Sequence, residues 1–174
     1  MRIVYLYQYF KTRDGSGSTR SYEFARRLRE GGHDVLVITS TARLPGLRGA
    51  RHKGLIESEI DGIKVWAVPS SYSNRMGFAR RVIEFLRFAA RSTIGILAAP
   101  RPDLIYASST PLTVAIPALA GRIFRKIPLV FEVRDLWPEV PQGMGILRNR
   151  VLLALAKGLA RAAYKKSARI IALS

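Results

Sequence analysis

Short apolar segments of strand length alternate with longer segments of helical periodicity along most of this chain. The strand-like segments are Arg2–Tyr9, Val35–Ser40, Pro102–Ala107, the apolar start of Pro128–Glu139, and Arg169–Leu173. The helical segments are Ser21–Glu30, Arg75–Ala99, Leu112–Arg125 and Arg148–Ser167. Strands that alternate with helices in this way form a parallel sheet with helices on both faces. We therefore predict one α/β domain with a Rossmann-like, doubly wound and mostly parallel sheet.

The segments between these elements are predicted as one hairpin and several loops. Asp61-Gly62 lies between two alternating segments of Ile56–Pro69, a pattern typical of a tight hairpin. Thr41–Leu55 is basic and aperiodic, and Trp137–Leu147 is also predicted as a loop. Pro117 lies inside the third predicted helix, where proline is expected to kink the helix or to shift its start.

Composition excludes several kinds of site. The 174 residues include no cysteine and only two histidines, His33 and His52, so disulfides are excluded and a histidine-based metal site has no basis. We expect no cofactor. The longest apolar runs are well short of the roughly 20 residues that a membrane span needs. Because Met1–Val4 leads directly into a strand pattern, we expect no signal peptide and a cytoplasmic location.

The net charge of +17, from 29 Lys+Arg against 12 Asp+Glu, points to an anionic partner. Nucleic acid, an anionic bilayer and phosphorylated substrates all have the required charge. No recognisable nucleic-acid-binding motif is present, so no nucleic acid is expected. A basic module that binds nucleic acid or another anion without catalysis is the alternative function.

The helical segment between 75 and 101 interleaves arginines with aromatic and aliphatic residues. Its apolar residues are too many for one core-facing stripe, which favours interfacial binding to a membrane. The alternative is a solvated face on which the long arginine side chains lie along apolar surface. The residues predicted to contact the membrane are Arg75, Arg80, Arg81, Phe85, Arg87, Phe88 and Arg91.

Two loops that follow predicted strands have the composition of ligand-binding loops. Gly15, Ser16, Gly17 and Ser18 precede a helix, where small residues let backbone N–H groups approach a phosphate. The loop lacks the third glycine of the dinucleotide fingerprint and the Walker lysine, so an ordinary loop capped by Ser18 or Thr19 is the alternative. Ser108, Ser109 and Thr110 follow another strand. They are predicted to cap the next helix, a role compatible with lining a cleft.

Arg134, Asp135 and Glu139 follow the central strand that begins at Leu129. Ligands of open α/β sheets bind outside the carboxyl ends of the strands, so these residues are the candidate site. Asp135 is suited to accept a proton or hydrogen bond from a sugar hydroxyl, and Arg134 to hold an anionic group. The alternative is an Arg–Asp ion pair that orders the loop. Trp137 is predicted to pack against the core rather than to stack on a ligand.

Five stretches together resemble a known family. They are Gly15-Ser16-Gly17, GGHDVLVITS at Gly31–Ser40, IDGIKV at Ile60–Val65, PDLIYASST at Pro102–Thr110, and FEVRDLWPE at Phe131–Glu139. In this order the chain resembles the amino-terminal domain of the family 4 retaining glycosyltransferases with the GT-B fold. It is most similar to bacterial enzymes that build capsule, O-antigen and colanic-acid type polysaccharides. FEVRDLWPE is the most specific of the five stretches.

The resemblance implies a two-domain enzyme whose active site lies between its halves. The amino-terminal half is expected to bind the acceptor, a lipid-diphosphate-linked saccharide at the inner face of the cell membrane. The other half, expected to lie outside these 174 residues, would bind the nucleotide-sugar donor and carry an E-x7-E motif. Many members have a histidine where this chain has Arg134, which makes Asp135 the better catalytic candidate. The half represented here is not expected to catalyse transfer alone.

Overall fold

The computed structural model describes residues 1–13, 19–73, 75–145, 147 and 149–173. One eight-stranded sheet runs through the described part, in the spatial order β3-β4-β5-β2-β1-β6-β7-β8. The strands are β1 Arg2–Leu6, β2 Asp34–Ser40, β3 Ala50–His52, β4 Leu55–Ile60, β5 Ile63–Val68, β6 Leu104–Ser108, β7 Leu129–Val133 and β8 Arg169–Ala172. The helices are α1 Arg20–Glu30, α2 Phe78–Ala98, α3 Ala115–Phe124, α4 Glu139–Gly143 and α5 Arg150–Lys166.

The predicted Rossmann-like fold is confirmed. Strands β5, β2, β1, β6, β7 and β8 run parallel, whereas β4 is antiparallel to both of its neighbours, β3 and β5. The chain moves outward from β1 to β2 and later returns to pair β6 on the other side of β1. The order of the sheet therefore reverses between β1 and β6, and the carboxyl ends of these strands frame the crevice where such folds bind ligands.

Alternation of side chains along the strands divides the core into two layers. Leu6, Ile38 and Phe131 belong to the layer beneath α2, α3 and α5. Tyr5 and Val37 belong to the layer beneath α1. Because successive strand residues point to opposite faces, near-continuous apolar runs such as Ile3–Leu6 supply both layers at once.

Two predicted loops contain structure that the sequence pattern did not reveal, and the third predicted helix begins later than its pattern suggests. The 41–55 segment, predicted as a loop, holds a short 3-10 helix at Thr41–Arg43 and the exposed strand β3. Helix α4 lies inside the predicted loop 137–147. The third helix begins with a 3-10 turn at Leu112–Val114, so Pro117 falls in the first turn of α3 and shifts the helix start.

The hairpin prediction is confirmed, and helices lie on both faces of the sheet, as predicted. Asp61 and Gly62 both have positive φ, as the tight turn between β4 and β5 requires. Strand β8 is exposed along its whole length.

Candidate functional site

The candidate site is the edge of the sheet where β1, β6 and β7 end, which we call the carboxyl edge. It comprises residues 7–8 after β1, 109–110 after β6 and 134–135 after β7. Parallel pairing of β1 with β6 and of β6 with β7 brings these three pairs together, although the first pair lies more than a hundred residues before the other two. The predicted residues Ser109, Thr110, Arg134 and Asp135 therefore share one place.

Thr110 and Asp135 form the polar contact at the open side of this edge. The Thr110 hydroxyl donates to the Asp135 carboxylate, with 2.6 Å between Oγ1 and Oδ2. Thr110 adopts a φ of +123°, a region that β-branched residues rarely occupy. Backbone conformations of this kind persist where the surrounding structure enforces them, and they cluster at functional sites. The contact holds one carboxylate oxygen and leaves the exposed Asp135 carboxylate with further acceptor capacity.

Arg134 turns toward the opposite side of the edge. Its guanidinium donates to the Tyr7 hydroxyl at 2.6 Å and lies 5.1 Å from the centre of the Tyr7 ring. Its backbone N–H donates to the Ser109 hydroxyl at 3.0 Å. The Arg134 side chain therefore bonds to Tyr7, after β1, whereas Asp135 bonds to Thr110, after β6. They do not pair with each other, and the alternative of an Arg–Asp ion pair is wrong.

Glu132 is the buried carboxylate of the edge. It accepts hydrogen bonds from the Arg20 guanidinium, at the start of α1, and from the Ser108 hydroxyl. Burial favours a higher pKa for Glu132, but the bonds from Arg20 and Ser108 and the charge of Arg20 outweigh it and hold the pKa below its usual range. Burial and the neighbouring Glu132 carboxylate together raise the pKa of the Tyr106 hydroxyl.

These contacts correct the capping prediction. Neither Ser109 nor Thr110 caps α3, because α3 begins at Ala115 after Val114 and no side chain bonds its described N-terminus. Thr19 precedes α1 but likewise makes no side-chain cap bond. The hydroxyls of Ser108, Ser109 and Thr110 instead tie the end of β6 to the end of β7.

A mostly apolar groove of about 700 Å³ opens beside Thr110 and Asp135. Helix α2 forms one wall and α5 the other, with α4 and the turn that follows Thr110 between them. Trp137 lines the groove and packs against the core, which agrees with its predicted packing role. We call this feature the α2–α5 groove.

Helix α2 has a face in the core, a face in the α2–α5 groove and an exposed outer face. The residues predicted to contact a membrane are divided among these three faces. Phe88 is only 1% exposed and lies in the core, so its prediction as a membrane contact is wrong. Arg81 and Phe85 line the α2–α5 groove. An outer face remains, exposed and spaced at three to four residues, and it consists of Arg80, Ile83, Arg87, Arg91 and Ile94. Arg75 is exposed just before the helix.

The other predicted residues have separate outcomes. Gly15, Ser16, Gly17 and Ser18 lie outside the described residues. Glu139 is exposed in the first turn of α4. Among the residues that the structure describes, no group of three or more histidine or acidic side chains could hold a metal ion. Within that same part of the chain, every helix is too short or too polar to cross a bilayer.

Sequence reasoning missed Gln8, Tyr7 and Glu132. Gln8 is fully buried just after β1, and within the described residues neither polar atom of its side chain has a hydrogen-bond partner. A polar residue directly after a buried strand at the reversal point is the signal that could have identified Gln8 and Tyr7. Glu132 is a charged residue inside an apolar strand, and that irregularity is its only signal.

Comparisons with known proteins agree with this geometry. Residues 15–174 match the family model described as "Glycosyl transferase 4-like domain". Among solved structures, the catalytic domain of starch synthase IV from Arabidopsis thaliana, bound to ADP and acarbose, aligns with a TM-score of 0.53 and 12% identity over 77% of this chain. A putative UDP-N-acetylglucosamine 2-epimerase from Listeria monocytogenes aligns with a TM-score of 0.51 and 14% identity over 98% of this chain.

These structural similarities establish a shared fold. The chain spans only 34% of the starch synthase chain and 38% of the epimerase chain. A search of curated proteins finds no significant match.

Proposed function

The chain belongs to the glycosyl transferase 4-like domain family, and from this we propose that it forms the acceptor-binding half of a glycosyltransferase. The transferred sugar is a hexosyl or N-acetylhexosaminyl group. A further domain supplies most of the nucleotide-sugar site. The acceptor is a lipid-diphosphate-linked saccharide used in bacterial surface polysaccharide synthesis.

The observation that carries this proposal is the Thr110–Asp135 contact at the mouth of an open groove. Glycosyl transfer forms a bond between an acceptor oxygen and the anomeric carbon of the donor sugar. It breaks the bond from that carbon to the nucleotide diphosphate, and the acceptor hydroxyl loses its proton. Asp135 is exposed at the carboxyl edge and has the acceptor capacity to receive that hydroxyl's hydrogen bond or proton. Thr110 holds the carboxylate in one orientation.

The remaining predicted residues have supporting roles in this proposal. Arg134, bonded to Tyr7, contributes positive charge beside an anionic group of either substrate. The Ser109 hydroxyl positions Arg134 by accepting a hydrogen bond from the Arg134 backbone N–H. Glu139 supplies a second carboxylate at the start of α4. Gly15, Ser16, Gly17 and Ser18 are proposed to approach a phosphate before α1.

The test is sugar transfer by the full-length protein to a lipid-diphosphate saccharide, assayed with a panel of nucleotide-sugars. Asp135→Asn keeps the shape and the bond from Thr110 but removes the charge, and we expect it to lower kcat by roughly 100-fold or more, the scale of general-base loss. Asp103→Asn is the matched control, because Asp103 is an exposed acid that precedes β6 at the opposite edge of the sheet. Transfer unchanged in Asp135→Asn would remove Asp135 from the mechanism, and no transfer with any donor would contradict the function.

We further propose that the outer face of α2 rests on an anionic membrane. Arg80 and Arg87 alternate there with Ile83 and Ile94, the combination that places apolar side chains at the lipid interface and charges beside phosphates. In this proposal the enzyme is peripheral and lies at the inner face of the cell membrane. The net charge of +17 adds a long-range attraction to the same surface.

Binding to vesicles that contain phosphatidylglycerol tests the membrane contact. Each basic residue near an anionic surface contributes about 1 kcal/mol, so Arg80→Gln with Arg87→Gln should weaken partitioning by roughly 30-fold. Arg27→Gln with Arg29→Gln removes the same charge from α1, on the other side of the sheet, and should have a much smaller effect. Equal losses for the two pairs would show that net charge, rather than this face, drives binding. Much tighter salt-dependent binding to nucleic acid than to the vesicles would favour the alternative function.

A further inference from the structure

The α2–α5 groove is unusual because two helices present apolar stripes that do not close on each other. Phe78, Val82 and Leu86 line it from α2, and Leu152, Leu155 and Leu159 line it from α5, both sets at helical spacing. Both helices pack on α3, which holds them apart. As a result Leu86 remains 51% exposed and Leu155 65% exposed.

The volume and lining of the groove fit a hydrocarbon chain. Its volume of about 700 Å³ lies within the roughly 300–1,000 Å³ range of small-molecule sites. The walls are almost entirely aliphatic and aromatic, so an occupant gains by removing apolar surface from water. Hydrogen-bonding groups on these walls are few, which makes them a poor fit for a polar ligand.

A few polar side chains line the otherwise apolar groove, and they define the rest of the ligand. Thr110 and Asp135 lie at the carboxyl edge, where the proposed transfer takes place, and Arg81 lines the same groove. Arg80, next to Arg81 in sequence, is exposed on the outer face of α2. An amphiphile with a hydrocarbon chain, an anionic linkage and a hydroxylated head complements the apolar walls, Arg81 and Asp135.

We propose that the α2–α5 groove binds the hydrocarbon chain of a lipid diphosphate, with the diphosphate near Arg81 and the attached sugar at Asp135. This inference rests on the proposed function and names where its acceptor lipid lies. The outer face of α2 then contacts the bilayer surface while the chain of one lipid enters the groove beside it. The groove is thus distinct from the membrane contact, and separate substitutions can test the two.

The experiment is a fluorescence titration of the full chain with farnesyl diphosphate, using farnesol and inorganic diphosphate for comparison. The chain has two tryptophans, and Trp137 lines the groove whereas Trp66 lies on β5. A Trp66→Phe background therefore reports on the groove alone. We expect a saturable change in Trp137 emission with farnesyl diphosphate, weaker binding of farnesol, and no change with inorganic diphosphate.

Matched substitutions on α2 decide whether the groove is the site. Leu86→Glu places a charge against the chain and should weaken farnesyl diphosphate binding by about tenfold or more. Ile83→Glu is the control, because Ile83 is 62% exposed on the same helix but points to the outer face. Leu155→Glu, on the opposite wall, should reproduce the effect of Leu86→Glu and provides a second variant if the first does not fold.

Several results would overturn the inference. They are equal effects of Leu86→Glu and Ile83→Glu, no effect of either groove variant, or no saturable Trp137 signal. Sedimentation velocity provides a further outcome. If the protein is a dimer that Leu86→Glu dissociates, and if Trp137 emission does not respond to farnesyl diphosphate, the groove would instead bind a second copy of this protein.

The proposed function fails separately. If the groove binds the hydrocarbon chain but the full-length protein transfers no sugar, the lipid-binding site would stand and the proposed transferase activity would be contradicted. If Leu86→Glu leaves the rate of sugar transfer to a lipid acceptor unchanged, the transferase activity would stand and the groove would not be the site of the acceptor lipid.

Discussion

Glu132 shows how a single residue connects stability to the carboxyl edge. It lies on β7 in a fully buried position, and its partners come from the start of α1 and the end of β6. A buried carboxylate of this kind is costly unless every acceptor position is occupied. Arg20 and Ser108 each donate a hydrogen bond to one of the two Glu132 carboxylate oxygens, and in doing so they connect three elements that surround the candidate site.

We predict that Glu132→Gln lowers the free energy of unfolding at neutral pH by about 1–3 kcal/mol, the scale for a buried bond to a charged group. The pKa of Glu132 is lowered in the folded state, so its contribution is present above the unfolded pKa of about 4.3 and is lost as pH falls through the folded pKa. The stability difference between wild type and variant should therefore narrow on acidification. Urea unfolding at pH 7 and at pH 3 measures it.

Glu30→Gln is the control for that experiment, because Glu30 pairs with Arg26 at the exposed surface and should change stability by no more than about 0.5 kcal/mol. If the difference in free energy of unfolding between wild type and Glu132→Gln stayed constant with pH, the ionisation of Glu132 would not contribute to stability.

Gln8 leads to a prediction of the opposite sign. Its amide is buried without a partner among the described residues, and an unsatisfied polar group of this kind costs roughly 1–3 kcal/mol. Gln8→Met keeps a similar length without the amide, so we expect the free energy of unfolding to rise by about 1 kcal/mol. Urea denaturation of the two proteins measures this change, and a loss of stability would mean that the amide is satisfied in solution.

At the scale of elements, the sequence predicted structure wherever the determinant was local. The hairpin was predictable because Asp61-Gly62 supplies the two positive φ values of its turn. Strand β3 was not predictable, because it is exposed, lacks apolar alternation and exists through pairing with β4. Phe88 was misassigned for a related reason: α2 is apolar on several faces, and only its packing on the core shows which face is buried.

The candidate site shows the same division. Asp135 and Thr110 were identifiable because each directly follows a strand-like run. The bond between them, and the roles of Tyr7 and Arg20, depend on which strands become neighbours. That information lies in the topology of the sheet, since Arg134 and Tyr7 are separated by 127 positions.

Close packing between α2, α3 and β6 gives a prediction at the scale of elements. A Cβ at Gly121 would lie 2.3 Å from Ile105 Cδ1 and 2.9 Å from Ile96 Cγ2, both in buried side chains. We expect Gly121→Ala to destabilise the fold by about 1–3 kcal/mol through overpacking. Gly158→Ala in α5 is the matched control, because a Cβ added there would meet no atom within 4 Å beyond its own stretch of helix. It should stabilise the helix by about 0.5–1 kcal/mol.

Thermal or urea unfolding of these two glycine variants separates the effects. Stabilisation by both would show that α3 can move away from β6 at little cost, and the close approach would then have no structural importance.

At the scale of the whole molecule, one side of the sheet combines three features that the proposed function requires. The carboxyl edge holds the exposed Asp135, the α2–α5 groove opens beside it, and the outer face of α2 carries exposed arginines with isoleucines. Helix α1 lies on the other side, over the second core layer. A membrane-bound acceptor that approached from the α2 side would meet the lipid surface, the groove and the carboxylate together.

The most direct test of this account is to find where the acceptor saccharide binds. The full-length protein is incubated with a lipid-diphosphate saccharide that carries a diazirine on its sugar, irradiated, and digested for mass spectrometry, with an excess of unlabelled acceptor as the control. We predict adducts at 109–113 and at 134–144, suppressed by the unlabelled acceptor. Suppressible adducts confined to the β3–β4 hairpin or to α1, with none at the carboxyl edge, would contradict the account.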